Sequence, residues 1–147
     1  MFEADTISRV EAALVDVLAS AGNLTGYTYE PWDLPPGRSL TIWGPDVEGP
    51  DVDEEKGPFG AVERILRWTC RIYMPLDGSK VRESTVAAKE TLGLVLGALD
   101  SHDQLSAMLG GLVIDVAITG AELLATAEDV SPALLVWELQ TSVLIHT

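Results

Sequence analysis

The sequence predicts an α+β fold: a mostly antiparallel β-sheet with two α-helices packed on one face, plus a long acidic Pro/Gly-rich loop. Three observations carry that expectation. Two segments repeat apolar residues at three- and four-residue spacing, the period of an amphipathic helix. Several shorter segments alternate apolar and polar residues, the period of a half-buried strand. One stretch between two strands is dense in proline and glycine and breaks both periods. A chain of 147 residues suits one layered core, so 1–147 is read as a single domain.

The first helix is expected over 6–21, where Ile7, Val10, Leu14, Val17, Leu18 and Ala21 share a face. Asp5 or Thr6 can accept from the free amides of its first turn, and Gly22 offers a stop. Arg9, Glu11 and Asp16 fall on the other side. Tyr27-Thr28-Tyr29 reads as a short strand that Pro31, Pro35 and Pro36 break. A second strand is expected over Ser39 to Trp43, with Leu40 and Ile42 on one face and Thr41 and Trp43 on the other.

Residues 44–60 read as a loop, because Gly44, Pro45, Gly49, Pro50, Gly57, Pro58 and Gly60 oppose regular structure. It also holds Asp46, Glu48, Asp51, Asp53, Glu54 and Glu55 against the one Lys56. A loop of this length inside a small domain is usually functional or mobile.

The clearest strand is expected over 61–75. Leu66, Trp68, Cys70, Ile72 and Met74 alternate there with Arg67, Thr69, Arg71 and Tyr73. A second helix over 79–99 has Ser79 as its cap and Val81, Thr85, Ala88, Leu92, Val95, Leu96 and Leu99 as its stripe. Gly93 and Gly97 on that helix suggest close packing against the sheet. A helical turn over 103–109, a strand over 112–118, an acidic loop over 120–132 and a last strand over 133–146 complete the order. The last strand is apolar on its second face too, at Leu134, Val136 and Leu144. That surplus implies burial on both sides, within the fold or against another subunit.

Charge narrows the function. Nine basic residues face 23 acidic ones, a formal net charge of -14, and none of the basic residues follows Lys89. Such a surface repels phosphate, so specific nucleic-acid binding and anionic membranes are disfavoured. No apolar stretch is long enough for a transmembrane helix, and the N-terminus lacks the basic and apolar regions of a signal peptide. The single Cys70 lies in an alternating apolar run and reads as a buried small hydrophobe.

Signatures of catalysis are missing from the sequence. There is no Gly-rich phosphate loop, no zinc-ligand pattern and no strained nucleophile turn. Asp51-x-Asp53-x-Glu55 resembles the start of a calcium loop, but Lys56 and Val62 stand where glycine and an acid are needed. His102 sits between Asp100 and Asp103 and His146 is the penultimate residue, so both read as solvated. The expectation is a protein without catalysis and without a cofactor. Trp68 and Trp137 fall on the apolar faces of strands and read as core. Trp32 and Trp43 border the Pro-rich turn and the acidic loop, and are candidate partner contacts.

The order of these elements resembles the tail-terminator (tail-completion) proteins of long-tailed bacteriophages, especially those of actinobacterial phages. The resemblance rests on Ile7-x-x-Val10-x-x-x-Leu14 ending at Gly22, on Tyr27-Thr28-Tyr29 with Pro31, on Arg67 to Tyr73 running into Asp77-Gly78, and on the apolar strand Leu134 to Ile145. It covers nearly the whole chain and is architectural, with no diagnostic motif. It implies a virion structural protein, assembled in the host cytoplasm, that forms a hexameric ring on the tail tube, stops its growth and meets the head connector. Tail-tube and connector proteins are the implied partners, and the genome passes without specific binding. Acids facing the lumen would repel phosphate and let DNA slide. The candidates are Asp46, Glu48, Asp51, Asp53, Glu54 and Glu55. The alternatives are another phage neck or minor tail protein, or a cytosolic adaptor module without catalysis.

Overall fold

The period-3.6 segments form two helices, and the alternating segments form the strands of one sheet. The structure is a computed structural model. It describes residues 5–29, 37–48, 63–77, 79–99, 109–110, 112–127 and 134–146, the side chains of 125–127 excepted. The elements run α1 (Thr6–Gly22), β1 (Thr25–Gly26), β2 (Ser39–Glu48), β3 (Glu63–Pro75), α2 (Val81–Gly97), β4 (Val113–Ala127) and β5 (Leu134–His146). This is the expected order, with the expected α+β class. The sheet order is β1-β2-β3-β5-β4. Every pairing is antiparallel except β1 with β2, which is parallel.

Register explains the core. Leu40 lies opposite Ile72 and Ile42 opposite Cys70; on the other side of β3, Cys70 faces Leu139 and Leu66 faces Val143. These side chains share one face and are at most 1% exposed. Both helices cover that face: Val10, Leu14 and Leu18 of α1, and Ala88 and Val95 of α2, join the same cluster. Burying an aliphatic side chain of this size contributes about 1.5–3 kcal/mol, so the face shared by sheet and helices is the main source of stability.

The first helix departs from expectation at both ends. Asp5 occupies the cap position without a side-chain cap bond, and Thr6 is buried. Its C-terminal stop is Asn23 rather than Gly22, in the left-handed conformation at φ 53. Leu24 N donates to Ala19 O at 2.8 Å and Asn23 N to Ser20 O at 3.3 Å, which closes the end in a Schellman arrangement. Gly22 is needed for space. A Cβ there would sit 2.8 Å from Val95 Cγ2 on α2. The next segment folds back over the helix, so a Cβ at Gly26 would sit 2.6 Å from Val15 Cγ1. That return buries Val15 and Ala19, which lie off the expected stripe. It also places the short parallel strand at Thr25–Gly26, two residues before the tyrosines, and leaves Tyr27 N donating to Leu40 O.

β2 runs through residues assigned to the loop. It continues past Gly44 and Pro45 to Glu48, with a register shift between Trp43 and Asp46. Gly44 takes φ +124, open to glycine, and its Cα faces the Arg67 carbonyl. An irregularity in the ladder therefore accommodates the Gly-Pro pair instead of ending the strand. β4 likewise runs on to Ala127, through much of the expected 120–132 loop. Its register shifts leave Ile114, Thr119 and Leu124 without cross-strand partners. Each shift breaks the period-two pattern, so Val113 and Val116 are buried while Ile114 is exposed.

In α2 the buried residues are Ala88, Thr91 and Val95, and Val81 is exposed. Lys80 rather than Ser79 is the cap residue. Ser79 instead donates from its amide and hydroxyl to Asp77 Oδ1, at 2.9 and 2.7 Å. Gly93 has nothing within 4 Å of a built Cβ and Gly97 is exposed, so the pair does not pack on the sheet. The expected helical turn over 103–109 lies outside the described residues except for Leu109, which is buried.

Candidate functional site

Three surfaces bear on function: the second face of the sheet, the outer side of α2, and the edge strand β4.

The second face carries the candidate contacts that fall within the described residues. Trp43 lies opposite Thr69 and is 69% exposed. Past the register shift, Asp46 lies opposite Arg67, and Arg67 Nη1 donates to Glu48 Oε1. These two acids therefore belong to a strand, facing a cation, and not to a free loop. The polar ladder continues across the sheet. Thr69 donates to Gln140 at 3.1 Å, Gln140 to Glu138 at 3.2 Å, and Arg71 Nε to Glu138 at 3.3 Å. Exposed pairs of this kind contribute about 0–1 kcal/mol each, so the ladder sets polarity more than stability. The apolar surplus of β5 is divided: Leu134 is buried, while Val136 and Leu144 are half-buried. Trp32, Asp51, Asp53, Glu54 and Glu55 lie outside the described residues, as do His102 and the calcium-loop-like stretch from Asp51 to Val62.

The outer side of α2 exposes Val86 and Leu94 and carries Arg82 and Lys89. An open depression of about 440 Å³ is lined there by Arg82, Glu83, Val86, Ala87 and Glu90. Among the described residues, its lining holds no histidine, cysteine, serine or threonine. On β4, Ile114, Leu123 and Leu124 are exposed, as are Asp115 and Glu122. Sequence reading missed both apolar surfaces. Val86 and Leu94 could have been noticed, because they fall off the helical stripe formed by Ala88, Thr91 and Val95.

Cys70, Trp68 and Glu11 meet in the core or at its edge. Cys70 is fully buried, and its thiol is pushed up from 9.0 to about 12, chiefly by burial, with a hydrogen bond to Thr141 opposing the rise. It cannot act as a thiolate at neutral pH. Trp68 is core as expected, and its indole N–H donates to Glu11 Oε2 at 2.9 Å, so the half-buried Glu11 reaches toward the sheet. Trp137 is only half-buried. His146 is exposed, yet its amide donates to Leu112 O at 3.0 Å, which holds it in the sheet. Among the described residues there is no cluster of three or more metal-ligating side chains. None of the described helices is long and apolar enough to cross a membrane.

No family model matches this sequence, and no curated protein matches it. Solved structures share its fold. One is a chain of the structure titled "Virion of native gene transfer agent (GTA) particle". It is 10% identical, with 97% of this chain and 99% of that chain covered at a TM-score of 0.53. At that identity the likeness is one of fold.

Proposed function

We propose that this chain is a non-catalytic structural protein of a phage-like virion. In the specific form of this reading it is a tail terminator. It caps the tail tube as a hexameric ring, stops elongation and forms the joint to the head connector. It is assembled in the host cytoplasm and resides at the tail or neck. The observation that carries the reading is the fold likeness, spanning nearly all of both chains, to a chain from a gene transfer agent virion. The element order read from the sequence supports the same class independently.

The charge balance fits the role. A ring that DNA must traverse works best if DNA does not adhere to it, and a net charge of -14 opposes adhesion. The acids of 46–55 are the proposed lumen-facing group, with Trp32 and Trp43 as contacts to neighbouring virion proteins.

The test is the solution mass by light scattering after size exclusion, alone and with purified tail-tube protein. A mass near six chains, or rings formed on tube ends, is the expected result. A single-chain mass that persists in the presence of tubes would overturn the terminator reading and favour an adaptor.

A further inference from the structure

We infer that the extra residues of β4 guard an edge: Ile114, Thr119 and Leu124 keep the open side of the sheet from pairing with a strand of another chain. The guard works the same way on a lone chain and on a ring, so it is independent of the assembly reading above.

β4 ends the sheet, and one of its sides has no partner among the described strands. An exposed edge offers free N–H and C=O groups to any extended chain. By composition this edge is a strong template. It spans 15 residues, with no proline, lysine or arginine and only Asp115 and Glu122 as charges. Ile114, Leu123 and Leu124 are exposed on it. A long, apolar, weakly charged segment without proline is the pattern that stacks into open-ended β-assemblies. The opposite edge is protected by other means. β1 has two residues, and beyond it β2 carries Pro45, which has no N–H, and the acids Asp46 and Glu48.

What β4 has instead is spacing. Against β5 it pairs at 115–118, 120–123 and 125–127, while Ile114, Thr119 and Leu124 have no cross-strand partner. These three lie five residues apart, so no regular run exceeds four residues. A straight antiparallel strand presents its outward N–H and C=O at every second residue. Each extra residue puts the next run one residue out of phase. A straight incoming strand can therefore follow β4 for four residues at most, short of the roughly five or six of an ordinary strand. All three side chains are exposed, so the core does not require them. The Thr119 hydroxyl makes one 3.3 Å hydrogen bond, to Gln140 O.

Deletion tests this. Removing Thr119 joins 115–118 to 120–123 in one regular run of eight and leaves every other residue on its own face. Removing Leu124 instead joins 120–123 to 125–127 in a run of seven. Each deletion variant is expected to keep the wild-type circular dichroism spectrum. Its mass should grow with time and concentration and its thioflavin T fluorescence should rise, while the wild type holds a constant mass. Adding Ala117→Lys and Ala121→Lys to the Thr119 deletion sets cations at exposed positions of the repaired edge, and should restore the wild-type mass. Folded deletion variants that behave like the wild type overturn the inference. So does association that the lysines leave unchanged, or loss of the fold in both deletions, since either assigns the three residues to folding and not to the edge. The reference is whatever mass the wild type adopts, one chain or a ring, so the outcome is separate from that of the ring reading.

Discussion

Trp68 on β3 and Glu11 on α1 are joined by a 2.9 Å hydrogen bond across 57 residues of sequence. The indole is 1% exposed, so its N–H has no access to water. The carboxylate is therefore what permits a tryptophan to occupy the centre of the core. Replacing Glu11 by alanine should cost about 1–3 kcal/mol, the penalty of an unsatisfied buried donor. Glu11→Gln keeps an acceptor and should cost less. Urea denaturation followed by tryptophan fluorescence measures both.

Arg38 performs a similar task for the helices. One of its guanidinium nitrogens lies 2.8 Å from Gly22 O and 2.8 Å from Thr91 Oγ1, tying the end of α1 to α2. Arg38→Ala should destabilise by about 1.5–3 kcal/mol, the range for hydrogen bonds to a charged group. Thr91→Val should cost less, because it removes one of the two acceptors and keeps the shape. Chemical denaturation of the three proteins gives the order.

Gly22 and Val95 should be energetically coupled. Gly22→Ala forces a methyl to 2.8 Å from a fully buried valine methyl group, and overpacking of this kind costs about 1–3 kcal/mol. The better helix propensity of alanine offsets up to about 1 kcal/mol of that. Val95→Ala alone opens a cavity. The double variant should lose less than the sum of the two singles, and a double-mutant cycle reads the difference.

Cys70 should make the protein sensitive to alkali. Its folded-state value near 12 exceeds the ordinary 9.0. The folded state thus holds a proton that the unfolded state releases first. The resulting stability is fully present below about pH 9 and is lost as pH rises toward 12. The Cys70→Ala variant should show a flatter fall of stability over that window. At neutral pH the thiol should react with a maleimide only after denaturant is added.

Removing the acids at 46, 48, 51, 53, 54 and 55 by Ser or Asn substitution should leave assembly intact and slow genome passage. Virion yield and infectivity measure this. Unchanged infectivity would remove the lumen role from these residues. The Asp46 and Glu48 changes also leave Arg67 without its partner, so an Arg67→Gln control separates that loss from the loss of negative charge.

How much of this was legible beforehand depends on what kind of pattern each element carries. The period of β3 and the stripe of α1 reported themselves, because a face buried against a helix or a sheet selects apolar residues at fixed spacing. The negative charge and its asymmetry are also properties of the sequence, and they constrain partners without reference to shape. β4 and the end of β2 were hidden for a shared reason. Their register shifts break the alternation, and Gly44-Pro45 reads as a stop until a neighbouring strand supplies the missing pairing.

The sequence by itself determined the class of fold, the order of elements, the core face of β3 and β5 and the sign of the surface. Those follow from local periodicity and composition, which act between near neighbours. Only the tertiary structure decided that β5 inserts between β3 and β4, that Gly22 is kept small by Val95, that Glu11 answers Trp68, and that exposed apolar groups gather on α2 and β4. Each of these depends on residues brought together from distant parts of the chain, where spacing along the sequence carries no information about contact.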